Sequence, residues 1–315
     1  MNDTVRFWRK VREVWDLHRL RLLRELQLRG TITAVAETLS YAPSSVSQQL
    51  ARLEREVGVP LLEQDGRRVR LTPAGTRVAR YAAQVIELQE GVQSELAPER
   101  PVPETIRLAT LETAARALVP YALTTLEKQA AHLRIEASVV PPEFGLSELP
   151  TRGFDLAMAE QYPGYTRAHH DQLHRELLGT DTMRLVVPGR SGIQSLSDAR
   201  NVPWVVEPKG TAAKDWVVQQ CRAAGFEPDI RYYSADLSVH IHLIRAGHAV
   251  SLLPDLIWTA RPRGVRRISL PGPFYRELFT SVRRAAVNRP AIVTVRAALR
   301  GALEAVQRTP PGGAG

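Results

Sequence analysis

Apolar and polar positions are most clearly patterned between residues 31 and 75. A short helix is predicted from about Thr33 to Leu39, then a turn, then a second helix that begins near Pro43 or Ser44, with a serine cap and a proline in its first turn. In this second helix, apolar residues recur at i, i+4, i+7 and i+11, which is the spacing of one buried face. They are Val46, Leu50, Leu53 and Val57.

The opposite face of the second helix is polar in an unusual way. At about 100° per residue, it carries small side chains, an amide and guanidinium groups rather than the Glu and Lys of an ordinary solvated helix. These groups form hydrogen bonds with base edges and phosphates in a DNA major groove. The pattern therefore favours a DNA-recognition helix. The residues on this face are Ser44, Gln48, Ala51, Arg52 and Arg55, with Ser45 on its flank.

A basic hairpin is predicted directly after this helix. Gly58 ends the helix, and Asp65-Gly66 is a strong hairpin-turn signal. Arg67, Arg68 and Arg70 then lie on one strand, where a wing would reach the neighbouring DNA backbone or minor groove. The alternative is a solvated basic turn on a small helical domain.

A long helix is predicted from Thr72-Pro73 to about Leu96. At 1.5 Å per residue, its roughly 24 residues span about 36 Å. Its apolar seam needs a partner, and a second copy of the same helix is the simplest one, which predicts a dimer with two recognition helices. Packing of the seam against the body of the protein is the alternative. The seam consists of Val78, Ala82, Val85, Gln89, Val92 and Leu96.

Three prolines, at positions 98, 101 and 103, predict a linker, after which predicted strands and helices alternate. This is the βαβ pattern of a largely parallel sheet, and two small α/β lobes crossed by two strands are the natural assembly. Strands are predicted at 106–110, 134–140, 154–159, 183–187, 203–207, 229–233 and 279–284. Helices are predicted at 112–129, 211–224, 237–246 and 291–307.

Ligands of open α/β sheets lie beyond the carboxyl ends of the strands, near helix starts that offer free N–H groups. Three segments of this chain fall at such positions, and a cleft between the lobes is predicted there. In the alternative interpretation, each Thr is only a helix cap. The candidate effector-binding residues are Thr110, Leu111, Glu112 and Thr113 after the first strand, Glu160 after the third, and Thr211 at a later helix start.

The N-terminal pattern resembles the winged helix-turn-helix of LysR-type transcriptional regulators over about sixty residues. The resemblance is carried by Ala36, Leu39, Ser47, Leu50, Leu53, Glu54, Gly58, Leu61, the Gly66-Arg67-Arg68 wing and Leu71-Thr72-Pro73-Ala74-Gly75. It departs from the family at Pro43-Ser44, where Gln-Pro is frequent, and at Gln64, where many members carry Arg. The DNA-binding residues that pattern and resemblance together indicate are Thr33, Ser44, Ser45, Ser47, Gln48, Arg52, Arg67 and Arg68.

The resemblance implies an α/β fold class with an N-terminal winged helix-turn-helix, a linker helix, and a two-lobed effector domain like that of periplasmic binding proteins. The expected divisions are an extension at 1–15, the DNA-binding domain at 16–75, the linker helix at 76–97 and the effector domain at 104–307. Lobe I takes 104–162 and 268–307, lobe II takes 163–267, and a disordered tail takes 308–315.

Composition narrows the class of protein without identifying it. A single cysteine, Cys221, excludes an internal disulfide and argues against a two-cysteine peroxide switch. No apolar run approaches the roughly 18 residues of a membrane span, and the charged N-terminus lacks the core of a secretory signal, so a cytoplasmic protein is expected. The net charge of +9 arises mainly after residue 260, where 11 Arg face 2 acidic residues, so it is not itself an argument for DNA binding.

No catalytic motif, cofactor or metal site is expected, since His169, His170 and His174, and His240 with His242, lack a converging ligand geometry. We therefore predict a ligand-responsive transcriptional regulator that is not an enzyme. Its expected partners are double-stranded operator DNA, a small polar effector, another copy of itself in a homodimer or homotetramer, and the transcription machinery, but no membrane. An amino acid or another zwitterion held near Thr113 and Thr211 is the favoured effector. The alternative is a small-molecule receptor or enzyme built on the lobe pair.

Overall fold

The computed structural model describes residues 15–66, 68–96, 103–165, 172–258 and 263–308. The chain divides into two compact units, Met1–Ala97 and Pro98–Gly315. The predictions for the extension up to residue 14, for Arg67, for His169 and His170, and for the tail after residue 308 lie outside the described residues. Among the described residues, no helix is long and apolar enough to cross a bilayer.

From residue 15 onward, the described part of the N-terminal unit has three helices in succession, α1 (Leu17–Arg29), α2 (Ile32–Leu39) and α3 (Pro43–Val57). Thr31 caps α2 by accepting a hydrogen bond from the backbone N–H of Ala34. The serine cap predicted for α3 is wrong: Ala42 holds the cap position without a side-chain hydrogen bond, and Pro43 opens the helix. The fixed φ angle of proline suits that first position, and Ser44 is left exposed in the first turn.

A two-stranded hairpin follows α3. Strands β1 (Leu62–Asp65) and β2 (Arg68–Leu71) are antiparallel, with Asp65 opposite Arg68. Gly66 has a φ of +61° at the turn, a conformation that glycine adopts without steric cost. The predicted wing is therefore formed as a hairpin.

Helix α4 (Pro73–Glu95) has a buried first half and an exposed second half. Val78, Ala79 and Ala82 are buried in the same apolar cluster as the helices of the N-terminal unit. Leu88, Val92 and Leu96 are instead 72%, 53% and 76% exposed. Packing against the body of the unit, the alternative left open above, thus accounts for the first half of the seam only.

The C-terminal unit contains a seven-stranded mixed sheet with the order β10-β6-β11-β5-β3-β4, and β9 also pairs with β6. A separate parallel pair is formed by β7 and β8. The strands are β3 (Glu104–Thr110), β4 (Leu133–Val139), β5 (Leu156–Gln161), β6 (Leu173–Pro188), β7 (Pro203–Val206), β8 (Asp229–Tyr233), β9 (Ser251–Pro254), β10 (Val265–Ile268) and β11 (Tyr275–Arg283).

Strand β6 is much longer than the sequence pattern predicts, and it runs through both lobes. Its first part, from Leu173 to Thr182, pairs with β11 of the first lobe. Its second part, from Met183 to Pro188, pairs with β9 and β10 of the second lobe. Residues 173–182 therefore belong to the sheet of the first lobe, although lobe II was expected to begin at residue 163.

The helices of this unit are α5 (Glu112–Ala117), α6 (Val119–Gln129), α7 (Pro142–Ser147), α8 (Ala212–Ala223), α9 (Leu237–Arg245) and α10 (Pro290–Arg308). The single helix predicted over 112–129 is in fact two, α5 and α6. Pro120 lies in the first turn of α6, where a missing N–H costs nothing, whereas inside one continuous helix it would remove a hydrogen bond. The two lobes have separate apolar cores, and Trp204 and Trp216 are fully buried in the second.

Candidate DNA-binding surface and interlobe cleft

Helix α3 presents the predicted polar face to solvent. Val46, Leu50 and Leu53 are buried at 1% exposure or less. The Ser47 hydroxyl donates to the carbonyl oxygen of Pro43 at 3.1 Å and keeps its lone pairs as acceptors. The side chains of Gln48 and Arg52 have no hydrogen-bond partner within the described part of the chain. Exposed positions here are Thr33 on α2 and Ser44, Ser47, Gln48, Ala51, Arg52 and Arg55 on α3, while Ser45 is half-buried.

Glu54 on α3 fixes the segment that leads into the wing. Its Oε1 atom accepts hydrogen bonds from the backbone N–H groups of Leu61 at 2.8 Å and Leu62 at 2.9 Å. The Thr72 hydroxyl then donates to the Pro60 carbonyl oxygen at 2.9 Å. The Glu54 bonds tie the start of the hairpin to α3, and the Thr72 bond joins the two ends of the hairpin. They give a physical reason for the glutamate that the family resemblance had marked.

Arg19 joins α1 to α3 on the inner side of the unit. Its Nε atom donates to the Gln49 side-chain oxygen at 3.0 Å, and its guanidinium group also pairs with the Glu56 carboxylate. All three side chains are at least half-buried. The sequence reasoning missed this contact because it joins residues at least thirty positions apart.

On the wing, Arg70 forms an ion pair with Glu63 on the opposite strand at 2.8 Å. Both side chains are solvent-exposed, and such a pair contributes little stability, but it balances the charge of Arg70 locally. Arg68 lies at the start of β2 next to the turn.

In the C-terminal unit, a cleft of about 330 Å³, measured out to solvent, lies between the two lobes. We call it the interlobe cleft. The carboxyl end of β7, all of β9 and the first turns of α8 and α9 meet there, as the rule for open α/β sheets predicts. Its lining residues are Tyr162, Met183, Val206, Glu207, Ala213, Val217, Leu237, His240, Ser251, Leu252, Leu253, Pro254 and Arg276.

Arg276 is the most deeply buried cation of the cleft, with 3% exposure. It donates to the Asp181 Oδ2 atom from Nε at 3.0 Å and from Nη2 at 2.8 Å. The Nη2 atom also donates to the Thr113 hydroxyl at 2.6 Å. The predicted Thr113 therefore belongs to a polar network whose two charged members, Arg276 and Asp181, the sequence reasoning did not identify.

None of the predicted effector residues is among those that line the cleft. Thr110 is buried, with its hydroxyl 3.6 Å from the sulfur of Met158, and Leu111 belongs to the core of the first lobe. Glu160 is 6% exposed at the end of β5. Thr211 is half-buried and caps α8 by accepting from the Lys214 N–H at 3.3 Å.

Glu112 connects the two lobes. Its Oε2 atom accepts a hydrogen bond at 3.2 Å from the backbone N–H of Leu237, which opens α9 on the other side of the cleft. Its other oxygen lies 2.9 Å from the Arg116 guanidinium. The carboxylate of one lobe thus caps a helix of the other, and this N–H is not free for an anionic ligand.

The titratable groups of the cleft are strongly shifted by burial. Burial and the neighbouring Glu160 carboxylate raise the pKa of Glu207 to about 8. Burial lowers the pKa of His240, whose Nε2 atom lies 2.9 Å from the Ser234 carbonyl oxygen. His240 is accordingly neutral at pH 7, and Glu207 is largely protonated at the same pH.

Cys221 lies in the core of the second lobe, fully shielded from solvent. Burial raises the pKa of its thiol to about 12. The thiolate is the reactive form of cysteine, so this side chain is an apolar filler of the core. Among the described residues, no group of three or more His, Cys, Asp or Glu side chains could hold a metal ion.

A winged helix-turn-helix joined by a long helix to a two-lobed α/β unit defines a class of bacterial transcriptional regulators. Comparison with protein families agrees with this geometry. Residues 17–76 match the family described as bacterial regulatory helix-turn-helix protein, lysR family, and residues 99–304 match the LysR substrate binding domain. The chain therefore belongs to the LysR-type transcriptional regulators, which confirms the family and the fold class predicted from the sequence.

Individual relatives are distant. The transcriptional dual regulator GltC of Bacillus subtilis is 26% identical over 268 residues, which cover 82% of this chain and 87% of GltC. The uncharacterised regulator YcgK of the same organism is 23% identical over 324 residues, which cover 93% of this chain and 96% of YcgK.

Two solved structures show the same fold. A full-length OxyR variant from Pseudomonas aeruginosa has a TM-score of 0.68 and 18% identity, and the match covers 91% of this chain and 95% of OxyR. CbnR in complex with its target DNA has a TM-score of 0.54 and 20% identity, over 91% of this chain and 99% of CbnR. At these identities the likeness supports the fold and not a shared ligand.

Proposed function

We propose that this regulator binds operator DNA through α3 and the wing and senses a small-molecule effector in the interlobe cleft. The proposal of DNA binding rests on the exposed face of α3. This face presents Gln48 and Arg52 to solvent, and the opposite face of the helix is a fully buried apolar stripe. The complex of CbnR with its target DNA supports the same use of this fold. The DNA-binding residues are Thr33, Ser44, Ser45, Ser47, Gln48, Arg52, Arg67 and Arg68.

Base reading is assigned to Gln48 and Arg52, and phosphate binding to Arg67 and Arg68. Gln48→Ala should weaken binding to the cognate operator by about 1–3 kcal/mol and relax its specificity, because a side chain that pairs with a base edge is lost. Arg68→Ala should weaken binding to all sequences alike and reduce the slope of log K against log salt by about one unit. Fluorescence anisotropy with cognate and scrambled duplexes at several salt concentrations measures both effects.

Arg134→Ala is the control for removal of one positive charge. Arg134 lies on β4 in the other unit, where it pairs with Glu136 at 3.1 Å, and its loss should leave the salt slope unchanged. Identical behaviour of Gln48→Ala and Arg68→Ala on cognate and scrambled DNA would show that the two roles are wrongly assigned.

The same proposal includes a homo-oligomer held together by α4. Leu88, Val92 and Leu96 are exposed and follow one another at i, i+4 and i+8, which places them in one stripe. Large apolar side chains in such a row are typical of a surface that a partner covers. A second copy of α4 is the occupant that also explains two recognition helices acting on one operator. A homodimer is the smallest assembly that provides two recognition helices.

Leu88→Glu should dissociate the oligomer, because it places a charge within the apolar stripe. The sedimentation velocity of the full chain should then change to that of a monomer, and operator affinity should fall by at least about tenfold, since two linked sites bind far more tightly than one. Gln129→Glu is the control, because it adds the same charge at an exposed position at the end of α6, outside the stripe. An unchanged oligomer in Leu88→Glu contradicts the assignment.

For the effector, we propose that Thr110, Leu111, Glu112, Thr113, Glu160 and Thr211 form the rim of the site and that Arg276 lies at its centre. Glu112 carries a contact across the cleft, to Leu237, and Thr113 contacts Arg276, which lines the cleft. A ligand that changes these contacts favours one arrangement of the lobes, and it does so only as far as its affinities for the two arrangements differ. The relatives named above are described as transcriptional regulators, which favours this function over the receptor or enzyme alternative.

This role sets the remaining partners and the place of action. A regulator that binds operator DNA acts in the cytoplasm and meets the transcription machinery at the promoter. It needs no cofactor for either step.

A further inference from the structure

We propose that the interlobe cleft binds an effector with a positively charged nitrogen group, an amine or an amidinium, and that the Glu207 carboxylate is its counter-ion. This inference rests on the proposed function, in which the cleft is the effector site. It keeps the positively charged group of the zwitterion expected from the sequence, and it assigns no anionic group of the ligand to the helix starts at Thr113 and Thr211. Three independent features of the cleft carry it.

The first feature is that the buried cation of the cleft already has an anion. Arg276 directs two N–H groups at Asp181 and one at Thr113. Asp181 is 4% exposed, so this pair is shielded from solvent. An anionic ligand would have to compete with a preformed, charge-assisted pair, which is among the strongest polar contacts in proteins.

The second feature is that the helix starts facing the cleft are already capped. At α9, Glu112 accepts from the N–H of Leu237, and Asp236 accepts from the N–H of Ser238 at 2.8 Å. At α8, the Thr211 hydroxyl accepts from the N–H of Lys214. Free N–H groups and unbalanced positive charge make a helix start attractive to anions, and carboxylates of the protein itself occupy this role at α9.

The third feature is a carboxyl group with no partner of its own. Glu207 follows the last residue of β7 and lines the cleft. Among the described residues, no N–H or O–H group donates to it. Its electrostatic neighbours are mostly acidic, since Glu160, Glu143 and Glu112 all raise its pKa and only Arg276 lowers it. The potential at this carboxyl group therefore favours a cation.

The remaining wall of the cleft is apolar. Val206, Val217 and Leu237 face it, together with Met183 and the ring of Tyr162. Such a wall suits a short hydrocarbon body, while one charged group fixes the orientation of the ligand. The ligand class that fits is a small organic cation rather than a sugar or a dicarboxylate.

Three isosteric probes test this charge preference on the full chain. Acetamidinium, acetamide and acetate have nearly the same shape and carry charges of +1, 0 and −1. Titration calorimetry at pH 8, at constant ionic strength, should give an affinity for acetamidinium at least about tenfold higher than for the other two. Glu207→Gln should reduce acetamidinium binding by at least about tenfold, because it removes the negative charge but keeps the shape of the side chain.

Glu304→Gln is the matched control, because Glu304 is an exposed carboxylate on α10 and its loss should leave acetamidinium binding unchanged. The proposal is overturned if acetate binds as tightly as acetamidinium, if Glu207→Gln binds acetamidinium like the wild type, or if none of the probes binds. Operator binding is measured on the same preparations. Intact operator binding with no preference for the cation refutes this inference alone, whereas loss of operator binding in the wild type refutes the proposed regulator.

The pH dependence of binding gives a second readout. Because the pKa of Glu207 is about 8, a cation that binds at lower pH must displace a proton. As the pH increases towards 8, affinity for acetamidinium should rise about tenfold per pH unit, and above pH 8 it should level off. Glu207→Gln should show no such rise.

The other titratable or charged groups facing Glu207 come from several elements packed around it. They are Glu112 from α5, Glu143 from α7, Glu160 from β5, Tyr162 directly after β5, His240 from α9, Arg276 from β11 and Asp181 from β6.

Discussion

Asp181→Ala should lower the free energy of unfolding of the C-terminal unit by about 3–5 kcal/mol, the usual cost of breaking a buried ion pair from one side. Arg276 is 3% exposed, and without Asp181 its guanidinium would remain buried after losing the carboxylate that accepts two of its N–H groups. Asp181 also accepts a hydrogen bond from the Leu256 N–H at 3.1 Å, and this bond is lost as well. Urea unfolding of the full chain, followed by tryptophan fluorescence, measures the change.

Two further variants separate an uncompensated charge from simple loss of a side chain. Asp181→Ala combined with Arg276→Met should be more stable than Asp181→Ala alone, because the second substitution removes the unpaired buried cation. Asp229→Ala breaks an exposed pair, the Asp229 carboxylate with Arg231 at 2.7 Å, and should cost no more than about 1 kcal/mol. Equal costs for Asp181→Ala and Asp229→Ala would refute the role given to the buried pair.

The N-terminal unit could be predicted well because its signals are local. The stripe of Val46, Leu50 and Leu53 and the Asp65-Gly66 turn each lie within a few residues, and each fixes an element directly. The first residue of a helix is harder to predict where two local preferences compete. The first turn of α3 offered both a proline and a serine as start signals, and the proline determined where the helix begins.

The polar network of the cleft could not be predicted because its contacts are long-range. Asp181 and Arg276 are 95 positions apart and meet only because β6 and β11 pair in the register that places them opposite each other. Glu112 and Leu237 are 125 positions apart and meet across the two lobes. In the sequence, nothing distinguishes Asp181, Arg276 and Glu112 from charged residues at the surface.

Glu207 is a different case, because a usable signal was present. It ends the predicted strand 203–207, and the rule that brought Glu160 into the candidate site, a polar residue at the carboxyl end of a strand, applies to Glu207 equally. Glu207 was not included among the candidates because it was predicted to be the last residue of the strand and not the first residue after it. In the structure β7 ends at Val206, and Glu207 is the first residue beyond it, lining the cleft.

Gly75→Ala should destabilise the N-terminal unit by about 3 kcal/mol, at the upper end of the usual cost of overpacking. Gly75 is the third residue of α4, and a Cβ atom added there would lie 2.0 Å from the carbonyl oxygen of Leu61. That oxygen already accepts the Thr72 N–H at 2.9 Å, so neither backbone can move away without breaking the junction of wing and helix. Operator affinity should fall with stability, because the same junction positions the wing beside α3.

Helix propensity alone predicts the opposite sign, since alanine within a helix is favoured over glycine by roughly 0.5–1 kcal/mol. Gly91→Ala in the same helix is therefore the matched control: an added Cβ there meets nothing within 4 Å, and the substitution should stabilise the chain by about that amount. Thermal and urea unfolding of the two variants and the wild type shows whether the close contact with Leu61 or the helix propensity of alanine determines the effect of Gly75→Ala. If Gly75→Ala is as stable as Gly91→Ala, α4 does not approach Leu61 in the way the junction of wing and helix requires.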